Sequence, residues 1–128
     1  FQATYRKIEE NEVRFEEIGT EDCDYLIVAF GSLARISQKA VEIARKRGLK
    51  IGILRPITLW PFPKAEVARL SKRVKGILVP ELNAGQMIED VRLAAADGVR
   101  VEHFGRLGGI VPSPDEILDA FERLFLNK

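Results

Sequence analysis

Three observations predict an α/β fold with a mostly parallel sheet covered by helices on both faces. Apolar runs begin near Tyr25, Ile51, Gly76 and Val99, at a steady interval. Each run but the last leads promptly into apolar residues at helical spacing, and the last does so after a glycine-rich loop. The first three runs are continuous rather than alternating, as strands buried on both sides require. Such strand–helix alternation closes into a parallel sheet with right-handed crossovers.

The elements follow in order. The charged first ten residues read as an arm. Residues 12–18 alternate well enough for an edge strand open to antiparallel pairing. Tyr25-Leu-Ile-Val-Ala-Phe30 is the first buried strand, ended by Gly31-Ser32. A helix over 33–47 follows, with Arg45-Lys-Arg47 placing cations at its negative end and Gly48 as C-terminal cap. Ile51-Gly-Ile-Leu54 is the second strand, and Pro63 suits the first position of a helix over 63–74. Gly76-Ile-Leu-Val79 is the third strand, predicted to stop there because Pro80 lacks an N–H donor. A helix carrying Met87, Ile88, Val91, Ala94 and Ala95 on one face runs toward Gly98. Val99 to Phe104 is the fourth strand. Ser113-Pro-Asp-Glu116 predicts a capping box opening the last helix. The division expected is an N-terminal arm and edge strand over 1–20 and a main α/β unit over 21–128, together a single domain. A chain that begins Phe1-Gln-Ala-Thr4 and whose only methionine is Met87 reads as a piece of a longer protein.

Composition narrows the function classes. With 20 basic and 19 acidic residues the net charge is +1, too small a field to gather nucleic acid or an anionic membrane. No apolar run approaches the roughly 20 residues of a membrane helix. A single cysteine, Cys23, excludes an internal disulfide and suits a reducing cytoplasm. There is no Gly-x-Gly-x-x-Gly turn after the first strand, no Walker loop and no Gly-x-Ser-x-Gly elbow. One Cys and one His cannot build a zinc site by themselves. No catalytic or metal-ligating residue is assigned.

Two stretches remain. Arg55-Pro-Ile-Thr-Leu-Trp-Pro-Phe-Pro63 and Glu81-Leu-Asn-Ala-Gly-Gln86 both leave strands at the C-terminal edge, where open α/β sheets bind ligands and partners. Trp60 and Phe62 either close the bottom of a helix or form a rigid aromatic ridge for docking. Glu81 and Asn83 either cap the next helix or reach, with Gln86, across an interface. Gly31, Ser32 and Gly85, at helix starts, are the positions an anion would use. His103 reads as a packing or hydrogen-bonding residue.

These segments, in this order with Gly105-Arg-Leu-Gly-Gly109 and Ser113-Pro-Asp-Glu-Ile-Leu118, resemble the C-terminal domain of the alpha subunit of 2-oxoacid:ferredoxin oxidoreductases. The resemblance covers roughly residues 21–126 and is similar more widely to the C-terminal domain of transketolase-like thiamine enzymes. It implies a three-layer α/β/α fold whose mostly parallel five-stranded sheet has one antiparallel edge strand. It implies a cytoplasmic parent complex that decarboxylates a 2-oxoacid on thiamine diphosphate and Mg²⁺. Electrons would pass through iron–sulfur clusters to ferredoxin, with release of an acyl-coenzyme A. This domain would bind none of those cofactors, since one cysteine cannot ligate a four-cysteine cluster. It would serve assembly, contacting other domains of its subunit, the beta subunit and gamma or delta subunits where present, with ferredoxin only an indirect partner. The alternatives are a self-sufficient module binding a small anion or nucleotide, or the C-terminal domain of a transketolase or of a 2-oxoacid dehydrogenase beta subunit.

Overall fold

The computed structural model describes residues 6–10, 13–57, 62–82, 86–105 and 111–126. Along them run β1 (Arg6–Glu10), β2 (Val13–Ile18), β3 (Tyr25–Val28), α1 (Ser32–Lys46), β4 (Ile51–Pro56) and α2 (Lys64–Ser71). Then come β5 (Gly76–Glu81), α3 (Gln86–Ala94), β6 (Arg100–Gly105) and α4 (Pro114–Phe121), which a π-type turn over Glu122–Leu126 extends. The strands form one sheet in the order β1-β2-β4-β3-β5-β6. β3 to β6 are mutually parallel, β2 is antiparallel to β4, and β1 is antiparallel to β2.

The expected five strands with one antiparallel member are β2 to β6. Arg6–Glu10, expected within an arm, adds a sixth strand outside them, so β2 is not the edge. In the backbone register Arg6 lies opposite Glu17, Lys7 opposite Glu16, Glu9 opposite Arg14 and Ile8 opposite Phe15.

Helices cover both faces. Val67 and Leu70 of α2 and Met87, Ile88 and Val91 of α3 share a buried cluster with Leu26, Val28, Leu54, Ile77 and Val79. Ala40, Val41 and Ala44 of α1 and Ile117, Leu118 and Phe121 of α4 share another with Ile27, Ile51, Ile53 and Leu78. Successive residues of β3, Leu26, Ile27 and Val28, thus alternate between the clusters, as the period of two demands. An aromatic trio holds α4 at the start of β3: Tyr25 meets Phe121 edge-on at 4.9 Å, and Phe125 lies 5.2 Å from Phe121. Gly76 leaves room for it, since a Cβ there would run into the Phe125 ring.

At the opposite edge from the C-terminal strand ends, arginines pin the β2–β3 connection. Arg45 donates to the Gly19 carbonyl at 2.8 Å, to the Ile51 carbonyl at 3.2 Å and to Asp22 at 3.1 Å. Arg73 donates to the Thr20 carbonyl, while Arg69 and Thr20 both donate to the buried Glu17 carboxylate. The connection passes so close to β4 that a Cβ at position 52 would lie 2.8 Å from the Gly19 oxygen. Cys23, buried there, has its thiol pushed up by desolvation.

Element ends are mostly local chemistry. Gly48 (φ 84) closes α1, its N–H bonding Arg45 O at 3.1 Å while the N–H of Leu49 bonds Ala44 O at 2.9 Å. That is the Schellman pair. Pro63 is the residue before α2 rather than its first, and α2 ends at Ser71 with Val74 still buried beyond it. The strand end expected at Val79 is corrected: β5 runs through Pro80 to Glu81. Pairing with β3 stops at Leu78, while pairing with β6 continues through Pro80 and Glu81. Proline is accommodated in a strand where one side of the ladder is already open.

The capping box is as expected: Ser113 Oγ accepts from the Glu116 N–H at 3.2 Å and Glu116 Oε1 accepts from the Ser113 N–H at 3.0 Å. Ser113→Ala should cost about 1 kcal/mol, read as a lowered urea midpoint at unchanged slope. Arg45's hydrogen bond holds the Asp22 carboxyl below the usual carboxylate range against a smaller opposing desolvation. A pKa lowered on folding contributes stability that is present above the unfolded value and lost as pH falls through the folded one. Asp22→Asn should therefore be least stable relative to the parent near neutrality, with the gap closing below about pH 4 in urea titrations.

Candidate functional site

From β3 the chain moves to β4 on one side, then returns past β3 to β5 on the other. α1, which follows β3, and α3, which follows β5, consequently pack on opposite faces. Where two neighbouring parallel strands send their helices to opposite faces, a crevice opens at their C-terminal ends. A hollow of about 270 Å³ lies there, lined by Phe30, Gly31, Ser32 and Leu33 after β3 and by Pro80, Glu81, Leu82 and Met87 around the end of β5.

Glu81 turns its carboxylate onto α3. Its two oxygens accept the backbone N–H groups of Met87 at 2.7 Å and Ile88 at 3.1 Å. A helix start leaves such donors unpaired and carries partial positive charge, so a nearly buried carboxylate is well placed there. His103, on the neighbouring β6, brings Nε2 to 3.6 Å from Glu81 Oε2, outside hydrogen-bond distance. That nitrogen is buried and has no hydrogen-bond partner among the described residues. The ring lies along Gly105, where a Cβ would come within 2.5 Å of His103 Cε1.

The segment expectations divide. Gly31 (φ 64) precedes α1 without a side-chain cap, and Ser32 opens that helix exposed, both at the hollow. Gln86 is the first residue of α3. Trp60, Asn83 and Gly85 lie outside the described residues. Phe62 is only 5% exposed and belongs to the α2–α3 core, so its ring closes the start of α2 rather than standing out as a ridge. Sequence reasoning missed Phe30, which ends an apolar run and read as buried, yet is 41% exposed beside the hollow. Only its place just before Gly31 could have signalled that β3 has ended there.

The donors present do not match the cofactors that the resemblance implies. Among the described residues no group of three or more Cys, His, Asp or Glu converges, and the one thiol is buried and biased to its protonated form. The described lining of the hollow contains no Lys or Arg to meet a diphosphate, and its single carboxylate is committed to α3. No chemical step is assigned to either group here.

Fold and hollow together define an open α/β domain covered by helices on both faces, with a crevice at its topological switch point. The family model for pyruvate:ferredoxin oxidoreductase core domain II matches residues 23–117, and the chain belongs to that family. It is 41% identical over 119 residues to the ketoisovalerate oxidoreductase subunit VorB of Methanothermobacter thermautotrophicus, covering 92% of this chain and 33% of that one. Against the 2-oxoglutarate synthase subunit KorA of Methanothermobacter marburgensis it is 35% identical over 100 residues, covering 78% and 27%. The chain thus spans between a quarter and a third of the length of these curated relatives. Among solved structures it matches 2-oxoglutarate:ferredoxin oxidoreductase from Magnetococcus marinus, solved with 2-oxoglutarate, coenzyme A and succinyl-CoA bound. There the TM-score is 0.75 at 26% identity, over 85% of this chain and 19% of that one. A split-gene transketolase shares the fold, with TM-score 0.70 at 13% identity over 80% of this chain and 38% of that one.

Glu81→Ala leaves two helix-start donors unpaired and should cost about 1–2 kcal/mol. Hydrogen exchange should localise the loss, with the Met87 and Ile88 amides exchanging faster while those of α4 are unchanged.

Proposed function

We propose that this chain is the assembly domain of an alpha-type subunit in a cytoplasmic 2-oxoacid:ferredoxin oxidoreductase. The parent complex would oxidatively decarboxylate a 2-oxoacid, pass the electrons to ferredoxin and release the acyl group on coenzyme A. The observation that carries this reading is the 41% identity to a ketoisovalerate oxidoreductase subunit across 92% of the chain. Thiamine diphosphate, Mg²⁺ and the iron–sulfur clusters would be held by other domains and subunits, and the domain itself would be non-catalytic.

Its part is to present a surface. Phe30 projects beside a mostly apolar hollow, and the segments bearing Trp60, Asn83 and Gln86 leave the sheet at the same edge. Glu81 would serve that edge by fixing where α3 begins, and Phe62 by seating the segment that carries Trp60. Aromatic side chains are favoured anchors of such contacts. A lining with a carboxylate and, among the described residues, no cation favours a neighbouring domain over a small anion at Gly31, Ser32 and Gly85.

Phe30→Ala and Trp60→Ala, made in the complete complex, test this. Each should weaken subunit association about tenfold and lower turnover in proportion. Because Phe30 is exposed, its variant should keep the parent's urea midpoint. Normal assembly and normal turnover in both variants would remove the interface role.

A further inference from the structure

His103 is the one histidine in the 128 residues, and its ring stands just short of a carboxylate. Nε2 is buried and finds no hydrogen-bond partner among the described residues, yet it lies 3.6 Å from Glu81 Oε2. The register of β6 on β5 brings the two together. His103 lies opposite Val79 and Gly105 opposite Glu81, so all four share the face that α3 covers. Gly105, lacking a Cβ, gives the ring its place. The imidazole is 31% exposed, so protons from water reach it. Glu81 meanwhile holds the Met87 and Ile88 N–H groups. One carboxylate thus stands between the start of a helix and an imidazole on the neighbouring strand.

A neutral ring serves the buried nitrogen poorly. With the ring proton on Nδ1, Nε2 turns a lone pair toward an anion; with it on Nε2, the N–H stops short of its acceptor. A second proton leaves one arrangement, an Nε2–H donor of a cation aimed at Oε2. Closing to the roughly 2.7–2.9 Å of a charge-assisted bond takes a shift of less than about 1 Å. Among the described residues no other charge lies within ion-pair distance of the ring. On α3 the buried residues Met87, Ile88 and Val91 are apolar, Glu89 and Arg92 are exposed, and Asp90 is half-buried. On β6, Glu102 lies opposite Leu78, facing the other layer, and accepts from Arg100 at 2.7 Å. From this geometry we infer that His103 and Glu81 form a proton-operated latch, in which a proton taken up by His103 ties the Glu81 carboxylate, and with it the start of α3, to β6. Glu81 and Met87 line the hollow, so the latch firms one of its walls as pH falls. It acts within the chain, whatever the hollow meets.

Histidine is the side chain that ordinarily changes charge between about pH 5 and 8, and this chain has one. Hydrogen exchange of the full chain at about pH 5.5 and about pH 8, corrected for intrinsic rates, therefore reads the latch at the Met87 and Ile88 amides. Relative to the amides of α4, both should be about three- to tenfold better protected at the lower pH, the gain of a partly exposed charged hydrogen bond. His103→Gln, neutral at both pH values, should show no such difference. Glu81→Gln should lose it too, with α3 starting less firmly at either pH. The α4 amides separate these local effects from a variant that fails to fold. The unsubstituted chain needs no variant to be read. Equal protection at both pH values in that chain, or a difference that survives either substitution, would overturn the latch.

Discussion

The inner parallel strands β3, β4 and β5 have to hide two faces, and that requirement organises the rest. Leu26, Ile27 and Val28 of β3 are all fully buried or nearly so, although consecutive residues point to opposite sides. A strand with that composition is stable only between two layers, so α1 with α4 and α2 with α3 must take opposite faces. Right-handed crossovers then tie each helix's face to the direction in which its strands advance. The reversal of direction at β3 is what places α1 and α3 on different sides. The hollow between Phe30 and Glu81 follows from that reversal, without any residue having been committed to making it.

The same reversal gives the two edges of the sheet different characters. At the N-terminal ends of the parallel strands, Arg45, Arg69 and Arg73 bind backbone carbonyls and carboxylates and make a closed polar girdle. Among the described residues at the C-terminal ends, the carboxylate of Glu81 is spent on α3.

Much of the fold was legible because its signals are local. The capping box needs only Ser113 and Glu116, three residues apart, and Gly48 needs only the end of its own helix. The strands from Tyr25, Ile51 and Gly76 show as continuous apolar runs. The misreadings share one cause. Pro80 looks like a terminator until β5 is seen to lose β3, not β6, at that level. Arg6–Glu10 looks like a solvated arm until its backbone is seen paired along β2. Phe62, left open between closing a helix and standing in a ridge, is decided by its burial in the cluster with Leu26, Val79 and Met87. In each case the deciding group lies far away in the chain.

The sequence by itself determined the layer architecture, the strand and helix succession and the family, because periodicity, caps and the Leu59-Trp-Pro-Phe-Pro63 and Asn83-Ala-Gly-Gln86 segments are short-range patterns. Tertiary structure alone decided that Phe30 is exposed, that Glu81 holds the start of α3, and that β1 is the outermost strand. Exposure, a cap from six residues away and strand pairing all depend on which elements become neighbours, and that is set by packing both faces of one sheet at once.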